Sequence, residues 1–166
     1  NTTLYRVFVN ADENGCEDVY STQVTVTVFS DILISTQPVG GSICTGGNMT
    51  LSVTASGSPN IQYQWEIYNG TAWVTIPGAT SSSYNTGDMT ASADYRVYVY
   101  ATPSGCEDIY SNAVTVNVTP DITISGQPVG GSICTGGTWL LSITASGSPN
   151  LTYQWQDSIV GGTWQN

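Results

Sequence analysis

The chain has 166 residues, of which 40% are hydrophobic and only 8% carry a charge, whereas about a quarter are charged in typical soluble domains. Twelve acidic residues stand against two arginines, Arg6 and Arg96, with no lysine or histidine, so the formal net charge is −10. Such a surface repels nucleic acid phosphates and anionic membranes, and no apolar run approaches the roughly 20 residues of a membrane span. The composition therefore predicts neither a nucleic acid partner nor insertion into a membrane.

A period of 90 residues runs through the whole chain. The octapeptide GGSICTGG occurs at residues 40–47 and again at 130–137, and Trp65 and Trp155 are also 90 residues apart. Without a gap, residues 1–30 align with 91–120 and residues 31–65 align with 121–155. Such self-similarity is typical of a repeat architecture.

The period predicts three segments in chain order. Residues 1–30 form the C-terminal strands of one repeat, residues 31–120 form a complete repeat, and residues 121–166 form the N-terminal strands of the next. Either these are parts of a longer tandem chain, or the end segments of neighbouring subunits complete one another head to tail. Both alternatives describe a linear polymer of domains whose partners are neighbouring repeats.

Within the complete repeat, apolar and polar residues alternate with a period of two. The alternating runs are 49–55, 62–67, 95–100 and 114–118, and they are separated by SGSPN at 56–60, YNG at 68–70, PGAT at 77–80 and TPSG at 102–105. Alternation of this kind predicts strands with one buried face and one wet face, and the clusters between them are typical turn sequences. No stretch keeps a helical period over three turns. The sequence therefore predicts an all-β protein with seven or eight short strands in each repeat.

Two landmarks of the complete repeat resemble an immunoglobulin-like domain. Trp65 follows the Leu51 strand by about the interval between strands B and C, and ADYRV at residues 93–97 resembles the strand F motif. In that motif a tyrosine, here Tyr95, forms the tyrosine corner, while Val97 stands where the second conserved cysteine would be. The resemblance implies a β-sandwich without the usual inter-sheet disulfide. It also implies a core that contains Leu51, Val53, Trp65, Tyr95 and Val97.

The combination of QPVGGSICTGG, YQW, YRV and GCEDIYSNAVTVNV is similar to the immunoglobulin-like repeats of large secreted surface proteins and adhesins of Bacteroidota. This resemblance implies a structural or adhesive segment of an extended extracellular filament or stalk. It further implies that the chain is secreted to the cell surface, has no catalytic role, and contacts neighbouring repeats and, as further partners, glycans or cell surfaces.

Each repeat has one cysteine in the GGSICTGG loop and one in the GCED turn, and equal numbers favour pairing. Zinc is disfavoured because the chain has no histidine and no CxxC motif. The two-cysteine pattern of the family implies a disulfide between Cys44 and Cys106 within one repeat, with Cys16 and Cys134 pairing with cysteines of repeats outside the sequence. A bond between adjacent repeats and free thiols are the alternatives. A disulfide of any kind implies an oxidising, extracytoplasmic compartment.

The polar side chains of the sequence do not indicate a catalytic site. Serines and threonines have no histidine or lysine to act as a base, so no catalytic residue is predicted. Calcium is the one cofactor left open, with Glu107, Asp108, Asp31 and Asp121 as candidate oxygen ligands at turns and junctions. The alternative is that these are exposed turn acids, because no DxDxDG loop occurs.

Aromatic side chains outside the predicted core offer a different kind of site. Trp73, Tyr98 and Tyr100 are candidate glycan contacts, since aromatic rings with polar groups stack well on flat ligands. Alternatively, Trp73 lies in the core or covers a sheet, and the two tyrosines cover a neighbouring domain. A repeated carbohydrate-binding module of a secreted protein is therefore the second functional hypothesis.

Overall fold

The structure is a computed structural model that describes residues 2–10, 17–102 and 106–166. Its described residues form strands and turns and no helix, so the all-β prediction is confirmed. In the part of the chain described here, no helix is long and apolar enough to cross a membrane. The strands are β1 (Thr2–Tyr5), β2 (Phe8–Val9), β3 (Val19–Tyr20), β4 (Val24–Thr27), β5 (Leu33–Thr36), β6 (Gly41–Cys44), β7 (Thr50–Ser52), β8 (Thr54–Ser56), β9 (Ile61–Tyr68), β10 (Trp73–Thr75), β11 (Ser83–Asn85), β12 (Ala93–Ala101), β13 (Ile109–Tyr110), β14 (Val114–Thr119), β15 (Thr123–Gly126) and β16 (Thr144–Ser146).

Contacts divide the chain into two compact units. Unit 1 consists of Asn1–Val39, Leu51–Tyr84 and Asp94–Val114, and unit 2 consists of Gly40–Thr50, Asn85–Ala93 and Thr115–Asn166. The predicted repeat junction after Ser30 falls within unit 1, and the one after Pro120 falls within unit 2. The predicted repeat boundaries themselves stay a prediction.

The main sheet of unit 1 is antiparallel. Strand β9 pairs with β10 and β12, and β12 also pairs with β13. In this register Val97 lies opposite Trp65, and the preceding residue, Arg96, lies opposite Glu66. Because successive side chains point to opposite faces of a strand, Val97 and Arg96 belong to different faces of the sheet.

The inner face of this sheet carries the core of unit 1. Leu51, Val53, Trp65, Tyr95 and Val97, the five residues predicted there, are each at most 5% exposed. The indole Nε1 of Trp65 donates a hydrogen bond to the carbonyl oxygen of Ser81 at 2.9 Å, so its one polar atom is satisfied inside the core.

The predicted strand at residues 49–55 is divided at Val53. Strand β7 pairs with β11, and the backbone N–H of Val53 extends this pairing by donating to the carbonyl oxygen of Ser82 at 2.9 Å. Strand β8 pairs antiparallel with β5 instead. The described part of the complete repeat therefore has ten strands, β5 to β14, which is more than the seven or eight predicted.

Local pairings recur one period later in the chain. In unit 1, Leu33 and Ile34 of β5 lie opposite Ser56 and Ala55 of β8, and a bulge follows. In unit 2, Thr123 and Ile124 of β15 lie opposite Ser146 and Ala145 of β16, also with a bulge after the second pair. The β5–β8 pairing thus recurs as β15–β16, whereas residues 131–134 and 140–142 form no strands that correspond to β6 and β7.

A second recurrence links residues 1–30 with 91–120. The backbone N–H of Val7 donates to Ser21 Oγ at 2.9 Å, and that of Val97 donates to Ser111 Oγ at 3.0 Å. In both places the serine N–H donates back to the carbonyl oxygen of the same valine at 2.9 Å. In both segments the serine therefore links the last two strands of a repeat through one side-chain and one backbone hydrogen bond.

The outer segments differ from the middle one in burial. Val7 is 55% exposed whereas its counterpart Val97 is 0%, and Trp155 is 47% exposed whereas Trp65 is 0%. The physical reason is that residues 1–30 include no counterpart of β9, and residues 121–166 include no counterpart of β12 or β14. A cavity of about 340 Å³ lined by Ile122, Ile143 and Tyr153, among others, lies in this uncovered region of unit 2.

The octapeptide at residues 40–47 contains a strand, where a loop leading into strand B was predicted. Gly41–Cys44 forms β6, which pairs in parallel with β14 and places Cys44 opposite Thr119. A tight turn follows, in which the N–H of Gly47 donates to the carbonyl oxygen of Cys44 at 2.9 Å and Gly46 has a φ of 80°. The prediction missed β6 because glycine and serine have low strand propensity.

Candidate functional site

The face of the main sheet opposite the core carries a row of aromatic rings and one arginine. We call this row the aromatic strip. It consists of Tyr68, Trp73, Arg96, Tyr98, Tyr100 and Tyr110. Four strands, β9, β10, β12 and β13, supply its members, and the alternation of β12 places Arg96, Tyr98 and Tyr100 on this face.

Arg96 lies at the centre of the aromatic strip. Its Nε is 2.7 Å from Oε2 of Glu66, and its guanidinium carbon is 4.5 Å from the ring centroid of Trp73 and 4.0 Å from that of Tyr110. Glu66 is buried although it is charged. A buried carboxylate requires an opposite charge, so Arg96 neutralises Glu66 while its planar group stacks between two rings.

The tyrosines continue the row beyond Arg96. Ring centroids are 4.9 Å apart for Tyr98 and Tyr110 and 5.1 Å apart for Tyr98 and Tyr100, the latter pair with an interplanar angle of 19°. On the other side of Arg96, the rings of Tyr68 and Trp73 are 5.4 Å apart. All these spacings fall in the favourable range of aromatic pairs. The result is a continuous apolar surface with hydroxyl groups along it.

One hydroxyl of the aromatic strip has a strong partner. The phenol of Tyr98 donates a hydrogen bond of 2.5 Å to Oδ2 of Asp108. This hydrogen bond, followed by partial burial and the negative charge of Asp108, raises the pKa of Tyr98 to about 12. Each cause disfavours the phenolate. The contact with Asp108 therefore favours the neutral phenol of Tyr98.

The three predicted glycan contacts all belong to the aromatic strip. Tyr98 and Tyr100 stack directly on each other, and Trp73 is connected to them through Arg96 and Tyr110. Trp73 is half-buried on the face that carries Arg96, so it covers the sheet instead of entering the core. Whether these rings bind a glycan stays a prediction.

Sequence reasoning missed the residues that hold the strip together, Arg96, Glu66 and Tyr110. A signal for them was present, because the only two basic residues of the chain, Arg6 and Arg96, are one period apart. The earlier repeat has the same contact, with the guanidinium carbon of Arg6 4.0 Å from the ring centroid of Tyr20. A lone cation retained at a fixed repeat position indicates a structural role for that cation.

The candidate calcium ligands are not gathered into a cation site in the structure. Asp108 accepts the hydrogen bond from Tyr98, and Glu107 is exposed. The backbone carbonyl groups of Asp31 and Asp121 lie directly against Gly57 and Gly147, respectively. Among the described residues, no group of three or more acidic, cysteine or histidine side chains is arranged to hold a metal ion.

The predicted disulfide between Cys44 and Cys106 is not formed in the structure. Cys44 and Cys134 are exposed free thiols, and the Cys106 thiol donates a hydrogen bond to the carbonyl oxygen of Ser30 at 3.6 Å. Cys16 lies outside the described residues. The pairing of all four cysteines therefore stays a prediction.

Solved structures similar to this chain consist of immunoglobulin-like domains. Extracellular domains 3–5 of Drosophila OTK are 17% identical, with a TM-score of 0.53 over 88% of this chain and 49% of that chain. Immunoglobulin domains 1–4 of Sidekick-1 are also 17% identical, with a TM-score of 0.55 over 89% of this chain and 42% of that one. At this identity the likeness shows the fold, and it confirms the predicted immunoglobulin-like β-sandwich.

The chain also resembles part of an endoglucanase and matches a domain family model. Endoglucanase C of Cellulomonas fimi is 25% identical over 156 residues, which are 93% of this chain and 13% of that protein. The chain thus spans a small part of this relative and less than half of each solved structure. Residues 35–120, just over half of the chain, match the model described as "Domain of unknown function (DUF8696)". The chain therefore belongs to the DUF8696 domain family.

Proposed function

We propose that the chain is a structural or adhesive segment of an extended extracellular filament or stalk on a bacterial cell surface, built from tandem immunoglobulin-like repeats and without catalytic activity. The immunoglobulin-like fold, the period of 90 residues and the resemblance of its motifs to repeats of Bacteroidota surface proteins support this proposal. Its direct partners are neighbouring repeats, either in the same chain or in head-to-tail subunits.

The observation that carries the proposal is the construction of the repeat junctions. In unit 2, only three residues separate the end of β14 from the start of β15, and the carbonyl group of Asp121 lies against Gly147. Gly147 has a φ of 123°, and a Cβ there would collide with that carbonyl. Only glycine permits such a conformation and so close an approach of two backbone segments.

The junction in unit 1 has the same construction. There the carbonyl group of Asp31 lies against Gly57, which has a φ of 117°. The first residue of each repeat is thus fixed to a turn of its own repeat in both places. Five residues separate β4 from β5 at this junction and three separate β14 from β15 in unit 2, and such short junctions support the proposal of an extended stalk or filament.

Force spectroscopy tests the proposal, because a load-bearing repeat unfolds as one cooperative unit. The chain is attached to handles at its two ends and stretched. We expect one discrete unfolding event that releases about 300 Å of contour length, the extended length of a 90-residue repeat at roughly 3.3–3.6 Å per residue. The event is assigned to residues 31–120, the segment whose core is buried.

Carbohydrate binding is the second candidate function, and the aromatic strip is the observation that favours it. A row of rings with hydroxyl groups is suited to a sugar chain, and a protein named as an endoglucanase has a similar segment. We expect this candidate to fail in a titration with glucan oligosaccharides, because most rings of the strip are engaged with each other and with Arg96.

The decisive variants for that titration are Trp73→Ala and Trp164→Ala. Trp164 is 71% exposed and lies outside the aromatic strip, so its replacement is the matched control. Saturable binding that Trp73→Ala removes and Trp164→Ala leaves intact would replace the purely structural proposal with a carbohydrate-binding module.

A further inference from the structure

We propose that consecutive repeats are cross-linked by a disulfide between the Cys44 position of one repeat and the Cys106 position of the following repeat. The inference rests on the tandem arrangement proposed above. It assigns a partner to each cysteine of the repeat and makes the GGSICTGG octapeptide one half of a covalent junction.

Cys44 lies at the end of its own repeat. Strand β6 runs parallel to β14, and Cys44 lies opposite Thr119, the last residue of β14. The following N–H, that of Thr45, donates to the carbonyl oxygen of Thr119 at 3.1 Å. Since the predicted next repeat begins at Asp121, Cys44 lies beside the junction that follows its own repeat. Its thiol is exposed there.

Cys106 lies against the end of the preceding repeat. Its sulfur is 3.6 Å from the carbonyl oxygen of Ser30, the last residue of the preceding repeat. Cys106 therefore lies beside the junction that precedes its own repeat. By the period of 90 residues, Ser30 is the counterpart of Pro120.

The two contacts specify neighbouring places at every junction. A Cys44-type residue lies opposite position 119, and the Cys106-type residue of the next repeat lies against position 120. Residues opposite each other in a sheet are about 5 Å apart, and the Cα atoms of a disulfide are about 4.4–6.8 Å apart. A cysteine that pairs with position 119 and a thiol that contacts the carbonyl oxygen of position 120 meet consecutive residues of the same junction, and this shared location is the basis for proposing a disulfide between them.

A disulfide between Cys44 and Cys106 of one repeat fits these positions less well. Cys44 is placed beside the junction after the repeat, and Cys106 is placed beside the junction before it. The turn that follows Cys44 recurs after Cys134, because the N–H of Gly137 donates to the Cys134 carbonyl oxygen at 2.9 Å and Gly136 has a φ of 82°. Cys134 would pair with the Cys106 position of the repeat after its own.

The chemistry requires an oxidant. Two thiols lose two protons and two electrons to form one S–S bond, and a second disulfide, either a small-molecule disulfide or an oxidised dithiol enzyme, accepts them by thiol–disulfide exchange. Such conditions exist outside the cytoplasm. Loops closed by successive bonds overlap along the chain, so an oxidised array could not extend fully even if one repeat unfolded.

The experiment uses the whole chain with a second copy of residues 31–120 inserted after Pro120, which creates one junction with both positions. One variant keeps only Cys44 of the first copy and Cys106 of the second copy, and every other cysteine is replaced by serine. The matched variant keeps only Cys44 and Cys106 of the first copy. Both are treated with reduced and oxidised glutathione, and free thiols and intact mass are measured on the monomer.

We expect the junction pair to lose both thiols and two hydrogen atoms of mass, while the within-repeat pair keeps its thiols. Oxidation of the within-repeat pair, or thiols that stay reduced in both variants, would overturn the inference. The same proteins under reducing conditions are also unfolded by force. Two equal unfolding events without a disulfide would leave the tandem proposal intact, whereas the absence of such events would reject the array itself.

Discussion

Replacing Trp65 with alanine is expected to lower the free energy of unfolding by about 3–5 kcal/mol, the range for a large aromatic residue removed from a core. Trp65 is 0% exposed, and its removal also leaves the carbonyl oxygen of Ser81 without its indole donor. This loss is a large part of the stability of a typical domain, about 5–15 kcal/mol. Urea denaturation followed by circular dichroism measures it.

The chain contains its own control for this prediction. Trp155 occupies the same position one period later but is 47% exposed, so Trp155→Ala leaves no comparable cavity. We expect Trp155→Ala to change the free energy of unfolding by less than about 1 kcal/mol, as is usual away from packed cores. Equal losses in the two variants would show that residues 31–120 do not form the stable unit.

Replacing Arg96 with alanine is expected to lower the free energy of unfolding by about 2–4 kcal/mol. Removal of one partner from a buried ion pair costs about 3–5 kcal/mol, and that figure is reduced here because the side chains of Arg96 and Glu66 are 24% and 11% exposed. The ring contacts with Trp73 and Tyr110 are lost at the same time. The midpoint of urea denaturation reports the change.

Arg6→Ala is the matched control for Arg96→Ala. Arg6 stacks on Tyr20 in the same way, but residues 1–30 include no counterpart of Glu66. Arg6→Ala should therefore lower the free energy of unfolding by less than about 1 kcal/mol, the scale of an exposed cation–π contact. Adding Glu66→Gln to Arg96→Ala removes the uncompensated charge and should restore part of the stability. A double variant no more stable than Arg96→Ala alone would contradict this account of the ion pair.

The fold class could be predicted from the sequence because alternation is a local property. Tyr95, Arg96 and Val97 show which side chains of β12 share a face as soon as the segment is assigned to a strand. The landmarks Trp65 and Tyr95 then connect these strands to a known sandwich. The division of the 49–55 run at Val53 was not predictable, because it depends on two partners that are distant in sequence: β7 pairs with β11, whereas β8 pairs with β5.

The aromatic strip could be predicted only in part. Trp73, Tyr98 and Tyr100 were recognisable as aromatic residues outside the core pattern, whereas the role of Arg96 depends on register. Arg96 meets Glu66 because β12 pairs with β9, and it meets Tyr110 because β12 pairs with β13. A period of two identifies the face of a strand but not its neighbour.

The partner of each cysteine also could not be predicted from the local sequence. Their equal numbers per repeat indicate pairing, but the choice of partner depends on where β6 lies. Because β6 pairs with β14, Cys44 is placed beside Thr119 at the end of the repeat. Nothing in the local sequence of GGSICTGG reports that parallel pairing.

We propose that residues 31–120 form one load-bearing unit of a tandem array, and stretching single molecules of the chain is the sharpest test of this proposal. We expect one discrete unfolding event that releases about 300 Å of contour length. That event should persist in Trp155→Ala and lose most of its unfolding force in Trp65→Ala. Gradual extension without a discrete event in the unaltered chain, or an event that Trp155→Ala weakens as strongly as Trp65→Ala, would contradict it.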